Sequence, residues 1–188
     1  KIGSGEMTNL PMMRRVASIA AATGKPVIVS TGMSTMEEVA ETVTVLKAQR
    51  ARFMLLNCTS EYPPKYEHLH LGFMQVLRTR FGVLVGHSDH SPDNYSSFAA
   101  VALGAKMIEK HFTLSRSLGG PDAVFSLEPD EFKRLVSSIR LTEKGLGRVS
   151  YEVGQKEEKS RVFRRSLFVV EDVKTGEVFT TRNLRSIR

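Results

Sequence analysis

At 188 residues with 41% apolar side chains, the chain is long enough for one domain and a little more, with a core of ordinary size. The balance of 27 basic to 20 acidic residues, net +7 with a pI near 9.7, admits a nucleic acid, an anionic surface or a phosphorylated substrate and does not choose among them. The single cysteine, Cys58, excludes an internal disulfide and suits a reducing, cytoplasmic setting, and no apolar stretch approaches bilayer-spanning length, so no membrane partner is expected.

The chain opens on Lys1 inside a strand-like Lys1-Ile2-Gly3, so the natural N-terminus and any targeting segment are expected upstream. From there one plan repeats: an apolar run, a polar tip, a helical stretch. The runs are Pro26–Ser30, Phe53–Leu56, Val83–Val85 and Met107–Ile108, and they begin 24 to 30 residues apart at positions 26, 53, 83 and 107. That spacing suits βαβ crossovers and a parallel sheet. Met36–Lys47, with Val39, Val43 and Leu46 at helical spacing, and the Ala-rich Asn94–Leu103 read as crossing helices. Counting the fragment at Lys1, five strands are expected. The predicted class is α/β: residues 1–147 as the C-terminal part of an eight-stranded (β/α)8 TIM barrel with its first strands absent, a doubly wound open sheet being the alternative.

Glu128-Pro129-Asp130 predicts the start of a helix running to about Lys144, with Phe132, Leu135, Val136 and Ile139 on one face, stopped by Gly145 and Gly147. Residues 148–165 are charged and poor in large apolar side chains, which predicts a linker. Its basic cluster of Lys159, Arg161, Arg164 and Arg165 has only Phe163 interleaved and reads as solvated chain, so no nucleic acid is expected. Ser166–Val170, a turn at Lys174–Glu177 and Val178–Thr180 predict a hairpin within residues 166–188, a truncated β-rich second module.

The polar tips are Lys1 with Ser4 and Glu6, Ser30 with Thr31, Cys58-Thr59-Ser60, Ser88-Asp89-His90, and Glu109-Lys110-His111. In a parallel α/β fold they gather at the C-terminal edge of the strands, where ligands bind. A crown of hydroxyls and cations there matches a phosphate, because hydroxyl, amide and ammonium donors can each meet one of its oxygens. Gly3, Gly5, Gly32 and Gly86 would allow close backbone approach. His90 and His111 can meet over one site, and two imidazoles with nearby oxygens suit a divalent metal that keeps open positions. From spacing alone, ordinary strand-end histidines remain the competing reading.

The strings Lys1-Ile-Gly-Ser-Gly-Glu6, Val29-Ser-Thr-Gly-Met33, Cys58-Thr-Ser-Glu-Tyr-Pro63, Ser88-Asp-His90, Ile108-Glu-Lys-His-Phe-Thr113 and Gly120-Pro-Asp122 occur in this order, and together they resemble the sialic acid synthase family. The resemblance implies condensation of phosphoenolpyruvate with an N-acylated aldose, a βα barrel, and a small antifreeze-like (SAF) domain beginning near residue 166. It implies His90 and His111 as ligands of Mn2+, with Mg2+ or Zn2+ as alternatives, and Lys1, Ser4, Ser30 and Ser88 as phosphoenolpyruvate contacts. Ser60 stands where relatives often place an asparagine. Tyr62 and Asp122 resemble residues near the sugar, and Glu109, on the same face as His111 by strand alternation, resembles an active-site glutamate that handles a proton or orients water. A homodimer is implied for the intact protein, and N-acetylmannosamine and its diacetamido-trideoxy relatives are all candidate acceptors.

Blander roles compete at several positions. Ser30 and Thr31 could cap the next helix, as could Ser34-Thr35. Asp89 reads as a carboxylate that orients a ligating imidazole, and His68, His70 and His87 as surface or loop histidines. Cys58 reads as a buried, inert thiol and Met12-Met13 as packing. A fragment that does no catalysis, acting as a binding or assembly module, is the alternative from a different functional class.

Overall fold

The computed structural model describes all residues 1–188, which divide into two compact units, Lys1–Gly147 and Arg148–Arg188. In the first unit, helices and strands alternate as the sequence predicts: α1 (Leu10–Thr23), β1 (Val27–Ser30), α2 (Met36–Ala48), β2 (Phe53–Cys58), α3 (Phe73–Phe81), β3 (Leu84–Asp89), α4 (Tyr95–Ala102), β4 (Ile108–Lys110) and α5 (Pro129–Leu146). The strands form one parallel sheet in chain order, β1-β2-β3-β4. This is half the strand complement of an eight-stranded βα barrel. The fifth expected strand, at Lys1, is reduced to a single parallel bridge between Ile2 and Val29.

Alternation along the strands sorts their side chains onto two faces. Val27, Val29, Leu55 and Val85 lie on the face that packs against the helices, where Met13, Ala17, Val39, Val43, Leu46, Met74, Leu77 and Ala100 complete the core. The helices are started by local chemistry. Thr35 caps α2 in a reciprocal box with Glu38, its hydroxyl accepting from the Glu38 amide while the Glu38 carboxylate accepts from the Thr35 amide. This leaves Ser30 with no capping role. Pro129 opens α5 beside a second such box between Glu128 and Glu131.

Three strands extend beyond the apolar runs that announced them. β2 continues through Asn57 and Cys58, β3 through Gly86 to Asp89, and β4 through Glu109 and Lys110. The tips are therefore largely part of the ladder and not loops after it. Gly86 makes the β3 extension possible: a Cβ there would lie 2.5 Å from the Met107 carbonyl oxygen and 2.7 Å from Leu56 Cδ2. Other details also differ from expectation. α5 runs through Gly145 to Leu146, and it is Gly147, at φ 52°, that ends it. Of the apolar face expected on α5, only Leu135 is fully buried. His87 is completely buried, because β3 turns its ring toward the helices. As expected, Met13 is buried in the core, and His68 and His70 are exposed.

The second unit has a short helix α6 (Gln155–Ser160) where a plain linker was expected, with Arg161 paired to Glu158 one turn earlier. Its two strands, β5 (Ser166–Val169) and β6 (Leu184–Ile187), are antiparallel. The partner of β5 is thus not Val178–Thr180. That segment folds around Asn183, whose side chain accepts from the Thr180 amide and donates to the Val178 carbonyl. No helix of the chain is long and apolar enough to cross a membrane.

Gly86→Ala is expected to force β3 and β4 apart and lower stability by about 1–3 kcal/mol, read as a reduced urea midpoint with unchanged slope.

Candidate functional site

The inward face of the sheet carries the site. Ser30 ends β1, Cys58 and Ser88 stand opposite each other on β2 and β3, and Ser88 stands opposite Glu109 on β4. Ser88 donates to Glu109 Oε1 at 2.7 Å, and Lys1 Nζ reaches the same oxygen at 2.9 Å. Burial pushes the Glu109 carboxyl upward, but the bonds from Ser88 and Lys1 and the Lys1 charge outweigh it and hold the group below the usual carboxylate range. Glu109 is thus anionic at neutral pH, with both neighbours donating to it.

Ser4, Ser30 and Ser60 gather beside this trio. Ser4 Oγ accepts from the Gly32 amide at 3.0 Å and approaches Cys58 Sγ at 3.5 Å. The hydroxyls of Ser30 and Ser60 are buried and meet no protein partner, which is unusual for buried polar atoms. A Cβ at Gly32 would crowd these hydroxyls, lying 2.5 Å from Ser60 Oγ and 2.8 Å from Ser4 Oγ. By contrast, Gly5 faces open space. Thr31 turns away from the mouth and donates to the Leu56 carbonyl.

His90 and His111 do meet, with ring centroids 5.1 Å apart. His90 Nδ1 donates to the Thr59 carbonyl at 2.9 Å, and His111 Nδ1 faces Asp122 Oδ2 at 3.4 Å. With Nδ1 donating to Thr59, the neutral His90 ring keeps its lone pair on Nε2. Burial lowers the His90 pKa against the opposing pull of the Thr59 bond, so this ring is neutral at pH 7, the form that ligates metals. No cluster of three or more His, Cys, Asp or Glu side chains arranged for a metal is present, so the chain can offer a cation these two imidazoles. Tyr62 lies 4.4 Å from the His90 ring, and Phe125 lies 5.0 Å from His111 and 5.7 Å from Tyr62, forming an aromatic wall.

Several expectations need correction. Asp89 orients neither imidazole. It points to the helix side of β3, completely buried, and that work falls to the Thr59 carbonyl and Asp122. Lys110 is no part of the crown, for its side chain is only 1% exposed on the helix face, ion-paired with Asp89. The alternation that places Glu109 with His111 already excludes Lys110 from their face. Phe125 and the loop brace at Arg116 carry no motif. Arg116 grips Glu131 through two nitrogens and donates to the Ser126 carbonyl, tying the loop that bears Asp122 to α5. Burial of Phe125 in an irregular segment leaves no periodic signal to read.

The fold and site define an α/β protein with a parallel half-barrel sheet and a hydroxyl-rich, partly cationic mouth beside paired imidazoles. The NeuB family model matches residues 1–151, and the chain belongs to the NeuB family. It is 42% identical over 192 residues to the N,N'-diacetyllegionaminic acid synthase of Campylobacter jejuni, covering all of this chain and 56% of that protein. It is 40% identical over 189 residues to a pseudaminic acid synthase of the same species, covering all of this chain and 54% of the relative. Among solved structures, the N-acetylneuraminic acid synthetase of Leptospira borgpetersenii, crystallised with citrate, superposes with a TM-score of 0.74 at 33% identity over 87% of this chain and 56% of that one. A truncated 3-deoxy-D-arabino-heptulosonate 7-phosphate synthase of Thermotoga maritima, 24% identical with a TM-score of 0.63 over 78% of this chain and 58% of that one, shares the fold. The chain spans about half the length of the curated relatives it matches.

Gly32→Ala is expected to displace the Ser4 and Ser60 hydroxyls and to lower Tm by about a few degrees, read by thermal unfolding of the variant beside the parent.

Proposed function

We propose that the intact protein condenses phosphoenolpyruvate with an N-acylated aldohexose, N-acetylmannosamine or a diacetamido-trideoxyhexose, to a nine-carbon 2-keto sugar acid with release of phosphate. What carries this reading is the convergence, in a NeuB-family chain, of Lys1, Ser4, Ser30, Ser60 and Ser88 with the paired imidazoles at one mouth. The serine hydroxyls and the Lys1 ammonium bind the phosphate and carboxylate of phosphoenolpyruvate, and the unpartnered hydroxyls of Ser30 and Ser60 are the donors best placed to gain bonds.

His90 and His111 are the residues that would hold a divalent cation, Mn2+ foremost, with Mg2+ or Zn2+ as alternatives. His90 keeps its lone pair on Nε2 and the two rings lie close together, which fits that role. When bound, the cation supplies Lewis acidity toward the sugar aldehyde. Tyr62 and Asp122 border the sugar, so that C3 of phosphoenolpyruvate meets the aldehyde carbon in a fixed orientation. A bond forms between them, water adds at C2, and phosphate leaves. Glu109 orients the water or holds a proton at its carboxylate, and Lys1 stabilises the phosphate throughout. The Arg148–Arg188 unit is read as part of a SAF domain, and a homodimer as the assembly.

The test uses the intact protein with Mn2+, phosphoenolpyruvate and a panel of N-acylated hexoses. Phosphate release with one sugar, a nine-carbon 2-keto acid by mass and loss of both on chelation are expected, and silence across the panel from a folded protein would overturn the reading. His90→Ala and His111→Ala are each expected to abolish chelator-sensitive turnover. Glu109→Gln is expected to lower kcat by about 10²-fold or more with a much smaller change in the KM for phosphoenolpyruvate, and a pure KM effect would contradict its role in proton or water handling.

A further inference from the structure

The two strands that carry the imidazoles are tied together on the face opposite the mouth. Asp89 sits between Ser88 and His90 in β3 and the turn after it. Lys110 sits between Glu109 and His111 at the end of β4, directly opposite Asp89 in the ladder. Their side chains form a buried ion pair, Nζ to Oδ2 3.0 Å, at 1% and 0% exposure. The carboxylate also accepts from the Ser91 amide at 2.9 Å, from Ser91 Oγ at 2.7 Å, and from Ser96 and Ser97 in the first turn of α4 at 2.5 and 2.6 Å. The ammonium donates in addition to the carbonyls of Ser91 and Asp93, at 2.6 and 2.5 Å. Neither residue is bonded to His90, His111, Ser88 or Glu109.

We infer that Asp89 and Lys110 are positioning residues: through the backbone, their pair holds His90 and Ser88 of one strand against His111 and Glu109 of the other. β4 is only three residues long and pairs with β3 through three residues, so its ladder alone fixes the register weakly. The pair supplies the missing constraint where it acts on the site, one residue from each imidazole, and the serines anchor it to α4. This inference rests on the reading that His90 and His111 hold a divalent cation.

A buried pair that serves stability alone can be replaced by neutral side chains of similar shape with little loss, whereas removing one partner is strongly destabilising. A positioning pair loses ligand geometry even when stability is regained. The test is Mn2+ affinity of the intact protein, from electron paramagnetic resonance of the free ion, alongside thermal unfolding. Asp89→Asn and Lys110→Met alone are expected to lower Tm and weaken Mn2+ binding together. The double Asp89→Asn/Lys110→Met variant is expected to recover most of the Tm yet bind Mn2+ about tenfold more weakly than the parent or worse, the loss usual when groups that orient ligands are removed. A folded double variant with parental Mn2+ affinity overturns the inference and leaves the cation site standing. Should the double variant not fold, Ser96→Ala/Ser97→Ala decides. It keeps both charges and removes the anchor, so weaker Mn2+ binding in a folded protein supports the inference and parental affinity overturns it. A parent that binds no Mn2+ sinks the cation reading and this inference with it.

Discussion

The two-residue period of a parallel strand governs everything in the first unit. On β3, Val85, His87 and Asp89 face the helices while Gly86 and Ser88 face inward, and on β4 Ile108 and Lys110 oppose Glu109 in the same way. Packing and chemistry therefore occupy alternate residues of the same short segments. The hydrophobic term sits at the N-terminal ends, where Val27, Val29, Leu55 and Val85 are buried against the helices. Toward the C-terminal ends the helix face itself turns polar, and burial there is tolerated because the polar groups answer one another. Asn57 donates to the Leu69 carbonyl, His87 Nδ1 to the Asn57 carbonyl, and Asp89 to nothing but accepts on both oxygens.

The mouth is electrostatically economical in a specific sense: its cation and its anion are already partnered. Lys1 and Ser88 converge on one oxygen of Glu109, so a phosphate entering there must compete with a carboxylate for the same donors. The hydroxyls of Ser30 and Ser60, having no protein partner, face no such competition. The donors left open at the mouth are thus neutral hydroxyls, so the net charge of +7 says little about its local chemistry. Much of that charge lies on solvent-exposed side chains of the second unit, among them Arg161, Arg164, Arg165 and Lys159.

The fold was legible because each βα unit begins with an apolar run, and the runs keep crossover spacing. Strand ends were harder to read, since β2, β3 and β4 finish in Asn57-Cys58, His87-Ser88-Asp89 and Glu109-Lys110, residue types that signal loops when composition is read without the ladder that pairs them. The same cause hid the burial of His87 and the direction of Lys110. The residues singled out by motif do lie together in the candidate site: Lys1, Ser4, Ser30, Ser60, Ser88 and Glu109 on one part of the mouth, and Tyr62, His90, His111 and Asp122 on the other. Phe125, the Thr59 carbonyl and Arg116 were not, because each acts through irregular loop backbone where neither period applies. In the second unit, the side-chain bonds of Asn183 override the strand propensity of Val178-Phe179-Thr180.

Interleaving the two kinds of residue sets limits on how this segment can change over evolutionary time. Deleting or inserting a single residue in β3 upstream of Ser88 would exchange the faces, presenting Asp89 to the mouth and swinging His90 toward the helices. A substitution alters one position on one face, whereas a change of length re-faces every residue beyond it. The connections, such as the stretch between β2 and α3 or the long loop from Phe112 to Glu128, carry no such constraint, so a change of length there can reshape what the mouth admits without disturbing the strands that serve it.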